Sequence, residues 1–171
     1  MDNFNNKIAV VTGGGTGMGR ELVLQLANEG CNVSMCDVIE ENMQETFDKA
    51  TKQFPDVKIT KHICDVSNEN DVIRFKDEVI AQQETDHVNL LFNNAGIGGG
   101  GSFIHSSREE WDRVFAVCWH GVYYCSRAFM PYILASEEAH IINTSSINGF
   151  WASLGGTPHT SYSAAKFAVK G

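Results

Sequence analysis

Ile8-Ala9-Val10-Val11-Thr12-Gly13-Gly14-Gly15-Thr16-Gly17-Met18-Gly19 decides how this chain is organised. The apolar run Ile8–Val11 has no polar alternation, so it predicts a strand buried on both faces. Leu22, Val23, Leu26 and Ala27 fall at helical spacing and predict an amphipathic helix ending near Gly30. A glycine-rich turn between strand and helix lets backbone amides approach a pyrophosphate, which then rests on the positive end of the helix. Taken alone, such a run could be a mere turn; the strand before it and the helix after it supply the required context. The next apolar strand, Val33-Ser34-Met35-Cys36, closes on Asp37 about 20 residues past the loop. A carboxylate there can hold a ribose hydroxyl; it can also cap a following helix, and the two roles are compatible.

Working outward, strands and helices alternate without a linker, which predicts a single α/β domain over residues 1–171 with a parallel sheet covered on both faces. A polar helix is expected from Glu40 to about Phe54, where Pro55 ends it, and a third strand over 57–64 leads into Asp65-Val66. Ser67 is the expected N-cap of a helix carrying Val72, Phe75 and Val79. A fourth strand, residues 88–92, runs into Asn93-Asn94-Ala95-Gly96, and 97–102 reads as a flexible loop with no chemistry of its own. Ser107-x-x-Glu110 opens the longest helix, whose stripe of Trp111, Val114, Phe115, Cys118, Val122, Cys125 and Phe129 should run regularly until Pro131. A fifth strand, 140–144, leads to Ser145-Ser146, and a last helix starts near Ser161.

Tyr162 and Lys166 are four residues apart and so share one face of that last helix. A phenol in water titrates near 10, but an adjacent ammonium favours the phenolate, and such a tyrosine can exchange a proton with an alcohol or carbonyl oxygen. The pair is a weak signal by itself, since many solvated helices carry it by chance.

Composition bounds the partners. A hydrophobic content of 43% with 20% charged residues is that of a globular protein, and the net charge of −8 disfavours nucleic acid and anionic membrane. No secretory signal opens the chain and no apolar run approaches a membrane span, so the expected location is the cytoplasm. Cys31, Cys36, Cys64, Cys118 and Cys125 lack any paired spacing and read as buried free thiols; the scattered histidines give no metal site.

The motifs Thr12-Gly13-x-x-x-Gly17-x-Gly19, Asp65-Val66, Asn93-Asn94-Ala95-Gly96, Ser145-Ser146 and Tyr162-x-x-x-Lys166 occur in one order along the whole chain. In this the sequence resembles the short-chain dehydrogenase/reductase family, in its compact single-domain subgroup. The resemblance implies a Rossmann-like, doubly wound sheet in three α/β/α layers. It also implies an NAD-dependent oxidoreductase moving a hydride between nicotinamide and an alcohol or ketone, with Ser146, Tyr162 and Lys166 as catalytic residues. By the same resemblance Gly13, Gly15, Thr16, Gly17, Met18 and Gly19 hold the cofactor's diphosphate. Asp65 reaches the adenine amino group, Val66 touches the adenine ring, Asn94 lies by the ribose, and Tyr162 and Lys166 contact the nicotinamide ribose. Asp37, with no cation in the glycine loop before Arg20, favours NAD over NADP. The long helix builds a subunit interface in the family, so the complete protein is expected to be a homo-oligomer.

Three departures accompany the resemblance. Members usually run to about 250 residues, so the chain is expected to be an amino-terminal piece with about five of seven strands and an open sheet edge. Ser146 stands sixteen residues before Tyr162 rather than about thirteen, which implies an insertion within 148–160, with Gly155-Gly156-Thr157-Pro158 as the added turn. Phe150, Trp151, Leu154 and His159 would then either widen the pocket wall or simply pack the loop. Cys118 stands where many members carry an asparagine whose bent helix binds a water linked to the lysine. A non-catalytic nucleotide-binding module, or an inactive fragment, is the alternative to an enzyme; loss of Tyr or Lys would mark the former, and both are present.

Overall fold

The computed structural model describes residues 3–151, 156 and 158–171. Five parallel strands form one sheet in the order β3-β2-β1-β4-β5: β1 Ile8–Thr12, β2 Asn32–Asp37, β3 Ile59–Ile63, β4 Leu90–Asn93 and β5 His140–Asn143. The central strand β1 pairs with β2 (Val10↔Ser34) and β4 (Val10↔Leu91) and is buried at every position, as its unbroken apolar run demands. Helices α1 Gly17–Asn28 and α2 Glu40–Gln53 follow the first two strands; α3 Glu69–Gln83, α4 Arg108–Phe115, α5 Gly121–Leu134 and α6 Thr160–Lys170 complete the chain.

Strand order moves outward from β1 to β3 and then reverses to β4. Right-handed crossovers therefore put α1 and α2 on one face and α3 on the other. Two separate cores record this. Val23, Leu26 and Ala27 of α1 pack on Ala9, Val11, Val33 and Met35 on one face. Phe75 and Val79 of α3 and Phe129 of α5 pack on Val10, Cys36 and Leu91 on the other. Each fully buried aromatic contributes about 2–3 kcal/mol of transfer free energy. The doubly wound α/β architecture is thus present, and its switch point lies between the carboxyl ends of β1 and β4, where such sheets bind ligands.

Several local expectations are corrected. The long helix is not uniform: residues Ala116–His120 form a π turn between α4 and α5, with helical backbone angles on both sides. The stripe survives because one wider turn merely rotates it; Val114, Cys118, Val122, Cys125 and Phe129 are all buried. Pro131 does not end regularity, since α5 runs through it to Leu134. Asn68, not Ser67, caps α3, its side-chain oxygen accepting from the amides of Asn70 and Asp71 at 3.0 and 3.4 Å. Asp37 does not cap α2, whose N-cap position is Ile39. Residues 97–102 are tied down: Gly101 donates to the Pro158 carbonyl (2.8 Å), and its own carbonyl accepts from the Thr160 hydroxyl (2.9 Å). All five cysteines are buried free thiols, and burial pushes Cys31 up to about 12, so it stays protonated and inert. Among the described residues no helix is long and apolar enough to cross a membrane.

Candidate active site

A cleft of about 700 Å³ opens at the switch point. Its floor is the glycine loop, where Gly13, Thr16, Met18 and Gly19 line the space. Gly19 has no room for a side chain, because a Cβ there would lie 1.9 Å from the Gly13 carbonyl oxygen; α1 therefore starts hard against the turn that precedes it. Gly17, at φ +53°, faces open space: a Cβ would meet nothing within 4 Å. A loop of backbone amides with no side chain projecting from Gly17 fits a phosphate-bearing group.

Asp37 reaches back to this loop. Its Oδ2 accepts from the Gly15 amide at 3.0 Å, and its Oδ1 accepts from Val38 and Ile39 at 2.8 and 3.2 Å. These bonds turn the carboxylate toward the cleft, which it lines with Val38 and Ile39. Gly15 is thus a partner of Asp37 and does not itself line the cleft. Arg20, the first cation after the loop, is committed elsewhere: it donates to the Gly15 carbonyl at 2.7 Å and pairs with Glu45 at 2.9 Å. Asp65 and Val66 line the far wall, and Asp65 accepts from both the amide and the hydroxyl of Ser67.

Asn94 lines the cleft as well, but its amide nitrogen donates inward to the Thr12 and Gly13 carbonyls at 3.0 and 3.4 Å. It ties the end of β4 to the end of β1. Thr12 completes that tie: its hydroxyl oxygen accepts from the amides of Asn94 and Ala95, each at 3.0 Å. The sequence marks Thr12 as the first residue of the glycine motif, but its tie to Asn94 and Ala95 shows only once β4 is placed beside β1.

Beyond Gly96 lies a second group. Lys166 is 3% exposed, donates to the Thr144 carbonyl at 2.6 Å and lies 5.7 Å from the Tyr162 ring centroid. Burial holds its ammonium below the usual lysine range, with Cys118 acting in the opposite sense. The cleft meets this group at Gly96, where a Cβ would lie 3.7 Å from both Lys166 Nζ and Cys118 Sγ. Tyr162 packs on the small cluster of Val114, Cys118 and Ala165. Cys118 stands at the middle of the π turn, and its thiol donates to the Ile97 carbonyl at 3.3 Å. The helix bend that the resemblance attaches to an asparagine therefore forms around a cysteine.

Ser146 is less directly placed. Its hydroxyl accepts from the Asn148 amide at 3.2 Å in capping a 3-10 turn, Ile147–Gly149, and among the described residues no bond joins it to Tyr162. Its neighbours hold that turn onto α6: Ser145 donates to the Lys166 carbonyl at 3.1 Å, and Asn148 to the Ser163 hydroxyl at 3.4 Å. Phe150 is exposed with Lys170 of α6 over its ring at 4.3 Å, His159 contacts the Gly99 carbonyl at 2.9 Å, and neither lines the cleft. Leu154, Gly155 and Thr157 lie outside the described residues. No three His, Cys, Asp or Glu side chains among the described residues could hold a metal.

A switch-point cleft with a glycine loop, an acid at the end of β2 and a Tyr-Lys helix beside it belongs to a doubly wound α/β protein with its candidate site at the carboxyl ends of the strands. The chain belongs to the short chain dehydrogenase family, whose model matches residues 7–171. It is 36% identical over 170 residues to the uncharacterized oxidoreductase YxbG of Bacillus subtilis, covering 99% of this chain and 59% of that protein. It is 32% identical over 166 residues to the meso-2,3-butanediol dehydrogenase of Serratia marcescens, covering 97% and 62% respectively. Among solved structures, a short chain dehydrogenase/reductase from Burkholderia phymatum in complex with NAD superimposes with a TM-score of 0.90 at 35% identity, covering 99% of this chain and 58% of that one. The chain thus spans about three-fifths of the length of these relatives.

Proposed function

We propose that this chain carries the cofactor-binding half and the proton-transfer residues of an NAD-dependent oxidoreductase acting on an alcohol or its ketone. The observation that carries this reading is the juxtaposition at Gly96: the cleft fit for a dinucleotide ends at buried Lys166, which lies 5.7 Å from the Tyr162 ring centroid. The cofactor, when bound, exchanges a hydride with the substrate carbon.

The chain's own residues supply the rest. Loop amides from Thr16 to Gly19, at the amino end of α1, hold the diphosphate, while those of Gly14 and Gly15 are spent on the Cys36 carbonyl and on Asp37. Asp37, fixed by three amides, accepts from adenosine ribose hydroxyls and repels a 2′-phosphate, and Arg20 is bound to Glu45 and Gly15 rather than offered to one. Both features favour NAD, which is also the ligand of the Burkholderia structure. Asp65 and Val66 receive the adenine. Tyr162 moves the proton at the substrate oxygen, Lys166 supports it with positive charge held in a partly desolvated place, and Ser146 orients that oxygen once its hydroxyl turns from Asn148. A backbone carbonyl of the π turn around Cys118 can hold the relay water without an asparagine side chain.

Tyr162→Phe tests the assignment in the whole protein. The substitution removes only the hydroxyl, so NADH binding should persist while alcohol oxidation falls by about 10²–10⁴-fold. Turnover within a few-fold of the parent would remove Tyr162 from the reaction.

A further inference from the structure

Arg113 lies one helical turn before Val117, and both line the cleft. Among the described residues that line it, Arg113 is the one cation, set against the carboxylates of Asp37 and Asp65. Its guanidinium has no hydrogen bond or ion pair among the described residues. By contrast, Arg108 on the same helix is bound to Asp112 at 2.7 Å and Arg20 to Glu45 at 2.9 Å. An exposed arginine left unpaired on the rim of an acidic cleft is a donor fork without an acceptor.

Charge decides what it faces. A dinucleotide's diphosphate brings two formal negative charges into a cleft already holding two carboxylates. The amino end of α1 offers roughly half a positive charge to offset them. Helix α1 packs on one face of the sheet, while α5, which continues α4 through the π turn, packs on the other. Arg113 therefore approaches from the wall opposite the glycine-loop amides. We propose that Arg113 is a cofactor-binding residue whose guanidinium takes a phosphate oxygen of the dinucleotide from the α4 wall. The diphosphate is then gripped from two sides, by amides at α1 and by a charged fork at α4. This inference rests on reading the cleft as a dinucleotide site.

The test is fluorescence titration with NADH, and competition by ADP-ribose, on the parent chain, Arg113→Gln and Arg113→Lys at low and high salt. Arg113→Gln should lose about tenfold in affinity for both ligands, with a flatter salt dependence, and Arg113→Lys should recover part of the loss. Thermal melts of the variants should match the parent, because the side chain is exposed and unpaired. The proposal is overturned by Gln affinities within about twofold of the parent, by a Lys variant as weak as Gln, or by a loss for NADH that ADP-ribose does not share. A parent that binds NADH beside an equally tight Gln variant removes Arg113 alone. A parent with no saturable NADH binding removes the dinucleotide reading and this inference with it.

Discussion

Thr12→Val is the perturbation that most directly tests how the cleft is held open. The two side chains have nearly the same shape, so the change deletes one hydroxyl at a position 2% exposed. That oxygen accepts from the amides of Asn94 and Ala95, each at 3.0 Å. The Asn94 amide keeps a second acceptor, the Phe92 carbonyl at 3.0 Å, so it is not stranded. The Ala95 amide loses its partner. Leaving one such donor unsatisfied costs about 1–3 kcal/mol, and because Ala95 is only half-buried the lower part of that range, about 1.5 kcal/mol, applies. With a urea slope of about 2 kcal/mol/M, the unfolding midpoint should fall by about 0.7 M at unchanged slope. NADH affinity should fall as well, since Asn94 and Ala95 both line the cleft. Thr12→Ser, which keeps the oxygen, should recover most of both losses. A valine variant melting within about 0.2 M of the parent would refute the account, showing that β1 and β4 are tied without this hydroxyl.

Two further expectations concern other parts of the molecule. Asp37→Ala should narrow the preference for NADH over NADPH, measured as the ratio of dissociation constants; an unchanged ratio would mean that Asp37 does not face the ribose. His62 is 3% exposed, its ring bonded to Thr60 and to Glu78, and burial holds its pKa below the ordinary imidazole value despite the Glu78 carboxylate, which Arg74 also approaches at 3.6 Å. The folded chain therefore binds this proton less readily than the unfolded one, so stability is intact above about pH 6.5 and declines as pH falls toward the lower folded value. Urea midpoints taken from pH 7 down to 5 should drop less steeply for His62→Gln than for the parent; parallel slopes would sink this assignment.

Much of this was legible in the residues themselves. The unbroken apolar run Ile8–Val11 demanded a strand covered on both faces, and β1 is indeed central and wholly buried. Alternation of strand and helix carried the layer order, and the spacing of Tyr162 and Lys166 carried their common face. These are local properties, written by periodicity and backbone preference within a few residues. What depended on contacts between distant segments was not legible. Thr12 acquires its role only when β4 comes to lie beside β1, some eighty positions away. That the Asp37 carboxylate turns back to the glycine loop rather than capping α2 shows only when the Gly15 amide is seen to hold it. The π turn at Cys118 leaves no mark in a pattern of threes and fours, because one widened turn shifts the stripe by less than the width of the buried face. In the sequence Arg113 stands among other charges, Arg108, Glu109, Glu110 and Asp112. Only the fold put it on the rim of the cleft, since which wall a side chain joins is set by the hand of the crossovers and the packing of helices, neither of which is encoded at a single position.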